Sequence, residues 1–183
     1  FEWPGSGDRR RIRELEGQII NLDKAHHHAE LGTIYLGQGK LVRSEECFRM
    51  ALERDPTDID IRAGMGLCLL RLKRFDEAAA LLKSVCDEDP AHDYSNSLIT
   101  LAEAYAELNR TDEAIAALQR VLQSNSYPRA RVALAELHLG QDRRDRAEPI
   151  LRELMQEMVH IPRFQEKRDR KWYLRAQNLL RRI

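Results

Sequence analysis

Three consecutive histidines, His26, His27 and His28, form the one run of imidazole side chains in this 183-residue chain. Consecutive residues on a helix diverge by about 100°, so three neighbours cannot converge on one ion. Helical zinc sites use histidines at i and i+4, and no H-x-x-x-H occurs. The three are read as surface or groove residues, with no metal and no cofactor expected. Cys47, Cys68 and Cys86 are odd in number, lack a C-x-x-C spacing and lie on apolar helical patterns. They read as buried thiols of a reducing compartment. There is no G-x-S-x-G, no Gly-rich phosphate loop and no Cys/His pair with local motif support. Carboxylates such as Asp87-Glu88-Asp89 fall on helix surfaces and turns. No catalytic residue is assigned, and the chain is read as non-enzymatic.

What positions these side chains is a recurring frame of about 34 residues. Leu31-Gly32-x-x-Tyr35 is followed by Ala51 and Pro56, and Met65-Gly66-x-x-Leu69 by Ala78 and Pro90. Leu101-Ala102-x-x-Tyr105 is followed by Ala114, and Leu134-Ala135-x-x-His138, one residue early, by Ala147. Small residues at Gly32, Gly66, Ala102 and Ala135 let one helix approach its partner closely, and large apolar residues fill the remaining space. Pro56 and Pro90 end the helices before them, because Pro cannot continue the hydrogen-bond ladder. Such a period means stacked helical hairpins, and stacked hairpins form concave surfaces that bind other polypeptides. Asp8 is the expected N-cap of a preceding helix running to about Asp23, with Ile12, Leu15, Ile19 and Leu22 on one face. Phe1–Gly7 reads as extended. After Pro162, Trp172, Ala176, Leu179 and Ile183 form the apolar stripe of a last, basic helix, with Trp172 expected in the core. Pro149 places the start of its helix near Arg146, or kinks that helix.

This pattern resembles the tetratricopeptide repeat family over roughly three quarters of the chain. The resemblance implies an all-α, right-handed superhelical solenoid of antiparallel helix pairs, with an extra helix at each end. Residues 1–24 hold the extended segment and N-terminal helix. Residues 25–161 hold four repeats (25–58, 59–92, 95–128 and 128–161), and residues 162–183 form the capping helix. His28, Arg62 and Arg131 stand where the family often has Trp. The resemblance also implies a groove lined by the first helix of each repeat. On this chain the lining is His26, Ala29, Thr33 and Leu36, then Asp60, Ala63, Leu67, Leu70 and Arg71. It continues with Asn96, Ile99, Glu103, Ala106 and Glu107, then Arg129, Val132, Glu136 and Leu139. The expected partner-binding residues among them are Asp60, Leu67, Leu70, Arg71, Asn96, Ile99, Glu103, Arg129 and Glu136. The carboxylate clamp of the family's chaperone co-factors is not matched. Ala29, Thr33, Gly64, Asn96 and Thr100 bring no cation to its place, and a dicarboxylate needs cations to offset its desolvation.

The expected function is therefore an adaptor or scaffold that binds a peptide or partner protein in the groove. The balanced net charge hides an asymmetry: residues 162–183 carry eight basic and two acidic side chains, and residues 25–161 are acidic. A basic terminal helix offers an alternative, association with nucleic acid or an anionic membrane surface, although nucleic acid is the less favoured ligand. Self-assembly into a homo-oligomer through the Phe1/Trp3 segment or the basic cap is a further alternative. No run reaches the roughly 18 apolar residues that span a bilayer. A cytoplasmic location is expected. Because the chain starts at Phe1 and not Met, membrane contact is expected only through a segment upstream.

Overall fold

A computed structural model describes residues 6–160 and 162–183. These form helices α1 (Ser6–Asn21), α2 (Ala25–Gly37), α3 (Leu41–Arg54), α4 (Ile59–Arg71), α5 (Phe75–Glu88), α6 (Asn96–Glu107), α7 (Thr111–Ser124), α8 (Pro128–Gly140), α9 (Arg144–Glu157) and α10 (Arg163–Leu180). No strand occurs among the described residues. The chain forms two compact units, Phe1–Thr100 and Leu101–Ile183. Most of Phe1–Gly7, expected to be extended, lies outside the described residues, but Ser6 and Gly7 already belong to α1. Asp8 therefore sits inside the first turn, not at the cap. The helix also ends at Asn21, which leaves Leu22 beyond it and 53% exposed. Of the expected apolar face, Leu15 is fully buried, and Ile12 and Ile19 pack beside it against Leu31 and Tyr35.

Each hairpin closes with the same three-residue turn, built the same way four times. The middle residue is left-handed: Gly39 (φ 72°), Lys73 (62°), Asn109 (59°) and Asp142 (57°). The next amide reaches back to a carbonyl in the last helical turn. Lys40 N–H donates to Tyr35 O at 2.9 Å, Arg74 to Leu69 at 3.0 Å, Arg110 to Tyr105 at 2.8 Å and Arg143 to His138 at 2.9 Å. With the bonds of three-residue span from Gly39 to Leu36 and from Lys73 to Leu70, this is a Schellman ending, which satisfies carbonyls that the helix itself cannot. The recurring aromatic position thus has a second role, because its carbonyl closes the hairpin.

The two glycines of the frame meet one large residue each. A Cβ on Gly32 would come within 3.1 Å of the Phe48 ring, and one on Gly66 within 2.7 Å of Leu82 Cγ. Phe48 is only 1% exposed because a second glycine closes its other side: a Cβ on Gly64 would lie 2.6 Å from Phe48 Cε1. In the second unit Ala135, Ala147, Leu151 and Leu154 form a core with Tyr173, Ala176 and Leu179 of α10. Ala51 does not occupy the place that Ala78 occupies one repeat later. That place belongs to Ser44, fully buried, whose hydroxyl donates to Gly32 O at 2.8 Å. The small polar residue meets the size limit of the contact, and the hydrogen bond offsets its desolvation.

Side chains at the family's Trp positions are used differently. His28 meets Asp23 Oδ1 at 2.5 Å, and Asp23 also accepts Arg54 Nε at 2.6 Å. Arg62 pairs with Glu88, and Arg131 with Glu157 at 3.0 Å. In each case a group early in the first helix of a hairpin is tied to the end of the second, directly or through Asp23. An ion pair takes the place of a large ring. His27 (9% exposed) and His28 (2%) are buried, against the expectation of surface or groove histidines, and His26 alone of the three is exposed. α9 begins at Arg144, two residues before the expected start, so Pro149 lies inside it and its missing N–H leaves one ladder bond unmade.

His138 replaces the recurring aromatic and is buried, with Nδ1 unpartnered among the described residues. Burial holds its pKa below the ordinary 6.5, and Arg146 and Arg143 push the same way. The unfolded chain then binds more protons than the folded one, so stability falls as pH drops through that value. His138→Phe is expected to flatten the loss of melting temperature between about pH 7.5 and 5.5. Gly64→Ala should destabilise the chain by about 1–3 kcal/mol, because its Cβ presses on a ring that cannot move aside. Gly17→Ala, in α1 with open space around it, should stabilise by about 0.5–1 kcal/mol, both glycine variants being read by urea titration.

Candidate binding surface

The expected groove residues separate once folded. In the first unit Asp60 and Arg71 stand exposed, Leu67 is half-buried, and Leu70 is 8% exposed. Asn96 is exposed, whereas Ile99 is 1% exposed and belongs to the core. Ile99 therefore does not join the groove floor expected of it. Leu98, Thr100 and Leu101 are buried as well, so α6 is enclosed around most of its circumference there.

Asp60 has an unforeseen partner. His92 Nε2 lies 2.9 Å from its Oδ1, and His92 Nδ1 lies 2.7 Å from Ser97 Oγ. His92 precedes three successive left-handed residues, Asp93 (φ 49°), Tyr94 (53°) and Ser95 (66°). Each such non-Gly residue costs about 1–2 kcal/mol, so the turn needs an external hold. The Asp60–His92–Ser97 chain supplies it, tying the starts of α4 and α6 to the extra residues of this junction. The residue types are those of a nucleophilic triad. However, Ser97 is 6% exposed and lines none of the pockets at α1–α3, α6–α10 or α9–α10. The arrangement is a clasp.

In the second unit α6, α8 and α10 bring Glu103, Arg129 and Glu136 together around one pocket of about 310 Å³. Its floor is Ala102, Ala106, Ala133, Leu118 and Leu137, with Trp172 as one wall, and Glu107 completes the rim. Arg129 spans α8 and α6, donating from Nη2 to Glu103 Oε1 at 2.6 Å and from Nε at 3.1 Å. Arg175 of α10 donates to Glu136 at 2.5 Å. These pairs are partly exposed and contribute little to stability, but they fix three helices around the opening. The small floor follows from the close-approach rule: alanines that admit neighbouring helices also leave a hollow where no large side chain enters.

Trp172, expected in the core, is half-buried and packs against the edge of that core instead of filling it. Tyr173 takes the core place, 4% exposed, and Trp172 is turned toward the pocket with Lys171 Nζ 4.7 Å from its ring. Ala176 and Leu179 of the expected stripe are buried as expected, and only its first member differs, with Tyr173 and Asp169 buried in place of Trp172. Nothing in the spacing of α10 distinguishes the two neighbouring aromatics. The basic face is also partly occupied, with Arg168 on Asp169 and Arg175 on Glu136. Burial pushes the Cys47 thiol up to about 11 and raises that of Cys68, which makes both poor nucleophiles. Among the described residues no helix is long and apolar enough to cross a membrane, and no group of three ligand side chains could hold a metal.

A tetratricopeptide repeat family model matches residues 25–93 and 99–157, and a second tetratricopeptide repeat model matches residues 69–126. The TPR repeat-containing protein YsoA of Bacillus subtilis (strain 168) is 27% identical over 99 residues, which is 54% of this chain and 29% of that protein. The chain thus spans less than a third of the length of this curated relative. MamA from Desulfovibrio magneticus RS-1 has a similar structure, with a TM-score of 0.77 at 18% identity over 82% of this chain and 85% of that one. MamA AMB-1 gives a TM-score of 0.66 at 23% identity over 83% of this chain and 87% of that one. At such identities the likeness is one of fold. With a repeat model matched over well more than half of its length and the hairpins built as that repeat requires, the chain belongs to the tetratricopeptide repeat family.

Proposed function

We propose that the chain is a non-catalytic interaction module, an adaptor or scaffold that seats a peptide or partner protein on the exposed faces of its first helices. The observation that carries this reading is the α6–α8–α10 pocket. An apolar floor of alanines and leucines is ringed by Glu103, Glu107, Glu136 and Arg129. An occupant would bury an apolar side chain on the floor and place polar groups against a rim whose geometry is already fixed, which lowers the ordering cost of binding. Exposed Asp60, Arg71 and Asn96 offer polar contacts in the first unit. Association with an anionic surface through α10 has less support, because Arg168 and Arg175 are already paired and Lys171 lies on Trp172. Self-assembly through Phe1 and Trp3 rests on residues outside the described ones.

Selection of peptides from a display library against the immobilised chain tests the reading. Ala106→Trp should fill the pocket and weaken the selected peptide on the order of tenfold with an unchanged melting curve. Arg71→Glu with Asn96→Ala makes the corresponding change in the first unit. A partner that binds both variants as it binds the parent would rule out these surfaces.

A further inference from the structure

A second concavity, of about 370 Å³, lies in the first unit between α1, the end of α2 and the start of α3. It is lined by Arg9, Arg13, Lys40 and Arg43, with Ile12 and Tyr35 beneath and Glu16 as its one acid. Lys40 Nζ lies 5.6 Å and Arg43 Cζ 5.8 Å from the centre of the Tyr35 ring, so both cations stand over the same floor.

The pairing pattern along α1 sets these cations apart. Arg10 reaches Glu14 at 3.0 Å, and Arg11 reaches Glu30 at 2.6 Å. Asp8 is held by Gln38 Nε2 at 3.0 Å. Among the described residues no carboxylate lies within ion-pair distance of Arg9, Arg13, Lys40 or Arg43, and Arg13 Nε spends its bond on the Arg9 carbonyl. Among the described residues, the guanidinium groups that face the basin are the ones without a carboxylate partner. Four cations against Glu16 leave an excess of three positive charges around one hollow.

We propose that this basin binds a polyvalent phosphoryl oxyanion. A single carboxylate would neutralise only one of the three excess charges, whereas a phosphate monoester or diphosphate brings two or more. Its oxygens also match the paired N–H groups of arginine. Tyr35, at 7% exposed, offers no face on which a base could stack. The phosphoryl group comes either from a soluble ester or from a lipid headgroup, and the two are separable by experiment.

Titration of the full chain with inorganic pyrophosphate probes the soluble source. Sedimentation with phosphatidylcholine vesicles, with and without phosphatidic acid, probes the headgroup. In whichever arm binds, affinity should fall with added salt. Arg13→Glu with Arg43→Glu should weaken it on the order of tenfold or more, and Arg13→Lys with Arg43→Lys should retain most of it. Both basin positions are exposed, so melting curves should stay unchanged. Arg181→Glu with Arg182→Glu removes exposed cations elsewhere and should leave binding intact. The proposal is overturned if neither anion binds at low salt, if the basin reversal binds as the parent does, or if the Arg181/Arg182 reversal weakens binding equally.

Discussion

Close contact between paired helices is the constraint on which the rest of the molecule depends. It is made where a glycine or alanine of one helix meets one large residue of the other: Gly32 with Phe48, Gly66 with Leu82. These contacts leave no slack, since a single added carbon would overlap by several tenths of an ångström. Ser44 shows how strict the limit is. A polar residue is accepted there because it is small, and its hydroxyl is satisfied by the Gly32 carbonyl. Closure of each hairpin follows, because helices held this close need a short turn. The left-handed residue at Gly39, Lys73, Asn109 and Asp142 provides one.

The same constraint generates the binding features. Where alanines replace larger residues to admit neighbouring helices, as at Ala102, Ala106 and Ala133, the surface is left hollow. Polar side chains at the rim then pair across helices and hold the hollow open. At the start of α1 the balance differs. Arg10 and Arg11 find carboxylates, while Arg9 and Arg13, which face the basin, have none among the described residues. Helical geometry thus divides one run of arginines between structure and an unpaired charged surface.

Much of the fold was legible in the sequence because its causes are local and recur. The spacing of Leu31-Gly32-x-x-Tyr35 and its later copies sets the hairpins, and Pro56 and Pro90 follow the ends of α3 and α5. The candidate site was legible only in part. Glu103, Arg129 and Glu136 do meet around one pocket, but Ile99 is enclosed by the core. The physical reason is that α6 is covered on most sides near its start, where residues 97–102 are all buried, so it keeps no single open face there.

What the sequence determined alone was the repeat, its helices and the small residues that must sit where helices touch, since period and residue size are properties of the chain read in order. The tertiary structure decided which side chains from distant segments meet. It put Tyr173 and not Trp172 into the core, and gave Ala78's place to Ser44 one repeat earlier. It joined Asp60 to His92 and Ser97, and buried His27 and His28. A helix's rotation about its axis and its partners' charges fix such outcomes. A shift of one residue turns a side chain by about 100°, which separates a core position from a pocket wall.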